Sequence, residues 1–123
     1  MNKTMDRKII IMLAVLTLAF AGLAHANMKR IEEAYELDLT QVSLPAHSAD
    51  RVTLKQCEDC YTVQLSVNAR TSYHVGMRSA GVTLLELTAT AAGVRDRENT
   101  PVYVMYEPES LVVTRIILST ASR

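Results

Sequence analysis

Polar and apolar residues alternate most cleanly along Tyr61–Asn68, where Tyr61, Val63, Leu65 and Val67 share one side and Thr62, Gln64, Ser66 and Asn68 the other. That period of two predicts a half-buried strand. Val52–Gln56 alternates in the same way, and only Cys57-Glu58-Asp59-Cys60 lies between the two runs. So short a link between alternating strands predicts an antiparallel hairpin. Thr71–Val75 predicts another short strand, ended by Gly76, and Val102–Tyr106 a further one. Leu37 and Leu39 alternate with polar residues before the phase shifts to Val42 and Leu44, which predicts a strand with a bulge or bend.

Leu111–Leu118 is apolar on both faces. Simple alternation puts Val112, Ile116 and Leu118 on one side and Leu111, Val113 and Ile117 on the other. Such a strand is either central or an interface. Arg115 interrupts the run and discourages edge aggregation.

Helical spacing enters at two places. Thr83 and Glu86 have the spacing of a capping box, Leu84, Leu87 and Ala91 form one stripe, and Gly93 suits a C-terminal cap, so Thr83–Gly93 predicts a helix. Met28–Glu36, with Ile31 and Tyr35 four apart, predicts a short helix or an arm. The elements sum to an α+β domain. It is a small antiparallel β-sheet or partly closed barrel of about six short strands with one packed helix.

The N-terminus is of a different kind. Lys3, Arg7 and Lys8 precede an apolar run from Ile9 to Ala24, which ends in Ala24-His25-Ala26. The run is shorter than the roughly 20 residues a membrane span needs, and small residues flank a larger one as at a signal cleavage site. We therefore expect residues 1–26 to be a secretory signal peptide and 27–123 a single domain. The membrane is then involved only through the transient export signal. The alternative is a retained anchor helix. No cysteine follows the run, which argues against a lipoprotein anchor.

Composition narrows the function classes. The 123 residues carry 13 Lys+Arg against 13 Asp+Glu, so no net charge draws the chain to nucleic acid. Removing the leader takes away Lys3, Arg7, Lys8 and Asp6 and leaves the rest mildly acidic. It also removes Phe20, so Tyr35, Tyr61, Tyr73, Tyr103 and Tyr106 are the remaining aromatics. No Gly-rich phosphate loop exists, since Gly76, Gly81 and Gly93 are scattered. His47, Ser48 and Asp50 cluster in a loop but without a nucleophile elbow, and turn chemistry explains them. We expect no cofactor and no catalytic residue.

Cys57-x-x-Cys60 is the one constellation with chemistry. In an oxidising compartment, the ends of a four-residue turn suit a structural disulfide. The alternatives are a thiol redox pair, or a metal site of Cys57 and Cys60 with His74 or His47. Two features oppose redox work: a strand rather than a helix follows Cys60, and Glu58 and Asp59 place negative charge beside any thiolate. Tyr103, Tyr106, Val112 and Ile116 are candidate interaction residues on the last strands.

The runs Thr71-x-Tyr73-x-Val75, Val82-Thr83-Leu84-x-Glu86-Leu87, Val102-x-Val104-x-Tyr106 and Val113-Thr114-Arg115-Ile116 resemble those of uncharacterised small exported bacterial domains. The resemblance covers under half of the chain and departs in the charged segment 94–101. It implies an OB-like or barrel-like β-rich domain and carries no activity. The expected protein is a periplasmic or secreted non-enzymatic module that binds another exported protein or itself. The alternative is a periplasmic thiol redox or metal-handling protein using Cys57 and Cys60.

Overall fold

The computed structural model describes residues 31–77 and 80–120. The signal expected over 1–26 lies outside them. Strand β1 (Glu33–Asp38) leads through a 3-10 turn (Leu39–Gln41) into β2 (Val42–Ser43), then β3 (Arg51–Leu54), β4 (Val63–Ser66) and β5 (Ser72–Val75). Helix α1 (Leu84–Ala92) and a second 3-10 turn (Arg97–Asn99) precede β6 (Pro101–Glu107) and β7 (Val112–Leu118).

The strands make one seven-stranded sheet in the order β1-β6-β7-β4-β3-β2, with β5 also on β7. An α+β domain is observed, but the sheet is mixed rather than all-antiparallel. Ser66 of β4 pairs parallel with Val112, and Ser72–Val75 pairs parallel with Arg115–Leu118. Parallel neighbours need a long crossover, and α1 together with β6 supplies it. The order is open, yet its two end strands are joined by only Leu39–Gln41. Flat, the outermost strands of such an order would stand about 24 Å apart. The chain from Asp38 to Val42 reaches at most ~14 Å. The sheet therefore curls without closing.

Residues 28–36, expected as a short helix or an arm, form a strand from Glu33 onward. Glu33–Asp38 is extended and pairs antiparallel with β6, Tyr35 opposite Val104. Leu37 enters the core and the Tyr35 ring stacks on Tyr106. Those tertiary contacts outweigh the weak helical preference of a short segment.

The faces of β7 are also corrected. Met105 pairs with Arg115, but Tyr106 pairs with Val113, so Thr114 is an extra residue in the ladder. This β-bulge turns Val113 to the same side as Ile116 and Leu118, and all three are buried. Val112 is left half-buried, off that face.

The helix forms as its caps direct. Glu86 N–H donates to Thr83 Oγ1 at 3.1 Å, and Thr83 N–H donates to Glu86 Oε2 at 2.9 Å. Leu87 and Ala91 are buried on its inner face and join one core cluster with Leu54, Leu65, Val104 and Ile116 of the sheet. Thr88 and Thr90 donate their hydroxyls to backbone carbonyls one turn back, which keeps these polar groups satisfied in the helix.

Candidate functional site: the disulfide-tied hairpin

Strands β3 and β4 form the expected hairpin, Val52 opposite Leu65 and Leu54 opposite Val63. Their inward residues Val52, Leu54 and Leu65 are fully buried, which anchors the base of the hairpin. Its tip is closed by the Cys57–Cys60 disulfide, with Cα atoms 4.9 Å apart, inside the range such bonds tolerate. Cys60 N–H donates to Cys57 O at 3.2 Å, which makes the tip a hydrogen-bonded turn. Glu58 and Asp59 at its apex are exposed. Tyr61 continues the phase of Val63 and Leu65 but lies beyond the paired ladder, and it is 94% exposed.

Gln41 holds the base of this tip. Its backbone carbonyl accepts from Lys55 N–H at 2.9 Å, and its side-chain Nε2 donates to Gln56 O at 2.6 Å. Its Oε1 accepts from Asp38 N–H at 2.8 Å. One side chain thus ties the end of β1 to the root of the tip. A recess of about 210 Å³ beside the disulfide is lined by Thr40, Gln41, Lys55, Cys57 and Glu58. The sequence signals Gln41 only through the capping-box spacing of Asp38-x-x-Gln41.

No protein family, curated protein or solved structure matches the chain.

The other candidate residues lie elsewhere. His74 stands on β5 opposite Ile117, with Nε2 3.2 Å from Ser72 Oγ. Among the described residues no three His, Cys, Asp or Glu side chains gather as a metal site would require. His47 is exposed in a loop where its carbonyl accepts from Asp50 N–H, and the Asp50 carboxylate accepts from the backbone of Ala46 and Arg51. These are turn bonds, as expected.

The tyrosines of β6 do not join the hairpin tip. Tyr106 is buried, its ring centroid 5.2 Å from that of Tyr35 and nearly parallel to it at 13°. Its hydroxyl donates to Glu33 Oε2 at 2.8 Å; that bond, then burial, holds its pKa well above the usual phenol value. Tyr103 lies half-buried on the opposite face and donates to Glu36 Oε1 at 3.2 Å. The Glu36 charge raises its pKa. Ile116 is fully buried in the core and offers no surface, while Val112 is half-buried at the start of β7.

A wider groove of about 530 Å³ runs between the first 3-10 turn, β2 and the last turns of α1. Arg97 lines it, but its guanidinium already donates to Ala91 O at 3.0 Å.

Proposed function

We propose that this protein is an exported, non-enzymatic binding module and that the disulfide-tied hairpin tip is its contact surface. Exposure of Tyr61 directly beyond Cys60 carries the reading. Single exposed apolar residues are ordinary on protein surfaces. Here the aromatic ring is the most exposed large apolar side chain among the described residues, and it follows a turn cross-linked at Cys57–Cys60 and tied down by Gln41. A tyrosine on a stiff support offers a large contact area and loses little conformational freedom on binding. The scaffold is read as a partly closed barrel.

Export is supported by the leader pattern of residues 1–26 and by a disulfide, which persists in oxidising compartments. The periplasm is the proposed location, with release to the medium as the second possibility. Thiol exchange at Cys57 and Cys60 is the competing activity. Cys57 is exposed and Cys60 half-buried, but the flanking carboxylates and the strand, rather than helix, that follows disfavour a reactive thiolate.

The test uses the protein immobilised and exposed to extract of the exported fraction. Wild-type protein retains a partner, and Tyr61→Ser loses it at an unchanged unfolding midpoint. Equal retention by both proteins contradicts the reading.

A further inference from the structure

The backbone of β1 carries information that its side chains do not. Leu39 N–H donates to Thr100 O at 3.0 Å, continuing the register in which Leu37 faces Val102 and Asp38 faces Pro101. Bonded pairs alternate along an antiparallel ladder. The N–H and C=O groups of Leu37, Tyr35 and Glu33 therefore point to β6, and those of Ala34, Glu36 and Asp38 point away. An independent bond agrees with this phase: Asp38 N–H is taken by the side chain of Gln41.

Gln41 thus caps one outward donor. Two more, on Ala34 and Glu36, belong to exposed residues, and among the described residues β1 pairs with β6 alone. Among the described residues no strand lies on that edge, because the neighbouring hairpin stops short. β3 pairs with β2, and the chain turns back at Cys57 instead of running on beside β1. Gln41 bonds both the end of this edge and the root of the hairpin tip, so edge and tip form one continuous surface.

The charges choose between occupants. Glu33, Glu36 and Asp38 lie on β1 and Glu58 and Asp59 on the tip, and these five acids outnumber the cation Lys55 at its root. A second copy adding its own β1 would set carboxylates against carboxylates, which is unfavourable across paired strands. The acids that keep copies apart would favour a cationic strand. We infer that the outward edge of β1 at Ala34 and Glu36 takes up an extended, lysine- or arginine-rich segment of a partner protein as an added strand, ending against the disulfide turn. This names the partner chemistry of the proposed site and rests on that reading.

Amide exchange of the full chain tests it, with a short synthetic peptide of alternating lysine and threonine as the probe. The expected result is exchange slowed at least about tenfold at Ala34 and Glu36. A glutamate–threonine peptide should leave both amides unchanged. Ala34→Pro removes an N–H that the ladder does not use, which an edge strand tolerates. It should abolish peptide binding while Tyr35 and Leu37 keep their protection, and Ala34→Val should bind as wild type. Should Ala34→Pro disturb the fold, Glu36→Lys replaces it and should weaken binding about tenfold. Unchanged exchange at saturating peptide overturns the inference, as does Ala34→Pro binding normally. If Ala34→Pro still retains a partner through Tyr61, the hairpin reading stands and the added strand alone fails.

Discussion

The side chain of Gln41 donates to Gln56 O at 2.6 Å and accepts from Asp38 N–H at 2.8 Å, so one amide locks the hairpin tip to the end of β1. Gln41→Ala removes both bonds and leaves two backbone groups to water. We expect a loss of about 1–2 kcal/mol in urea unfolding, with faster exchange at the Asp38 amide. An unchanged midpoint would show that the amide contributes nothing.

The Cys57–Cys60 bond closes a very small loop. The chain-entropy model gives such a loop about 2 kcal/mol. Replacing both cysteines by serine should lower stability by about that amount and leave the core protected. Global unfolding at room temperature would give the bond a larger part in the fold.

Tyr106 predicts an alkaline limit to stability. Its hydrogen bond to Glu33 and its burial raise its pKa in the folded protein above the usual value near 10. A raised folded pKa contributes stability that is complete below the unfolded value and is lost as pH climbs toward the folded one. Stability should therefore fall above about pH 10, and Tyr106→Phe should fall less steeply over the same window. Phenolate absorbance read against circular dichroism checks this. Ionisation of Tyr106 with the fold intact near pH 10 contradicts it.

Tyr73 is buried, and its hydroxyl is without a hydrogen-bond partner among the described residues. Burying an unpaired hydroxyl costs free energy. Tyr73→Phe should hold or gain stability, up to about 1 kcal/mol by thermal unfolding. A clear loss would reveal an ordered water on that hydroxyl.

Local pattern accounts for what could be read beforehand. The β3–β4 hairpin, the disulfide turn and the capping box of α1 each involve residues close in sequence, where alternation and spacing speak directly. The bend after Leu37 and Asp38 is legible, but the extended run 33–36 is not, because Ile31 and Tyr35 have helical spacing while the contacts that extend the segment come from β6, far along the chain. Alternation puts Val112 and Ile116 on one face because an extra residue at Thr114 leaves no mark in an apolar run. Parallel pairing of β4 and β5 with β7 is equally silent, since no local signal encodes it. At the site, Cys57 and Cys60 were visible and Gln41 was not, because its role depends on the bend that brings β1 to the hairpin.

The most direct measurement places a photocrosslinking amino acid at position 61 of the full chain in the producing cell, with position 95 as the exposed control. The account predicts one discrete adduct from position 61 and none from position 95. No adduct from position 61, or the same adducts from both, would contradict it.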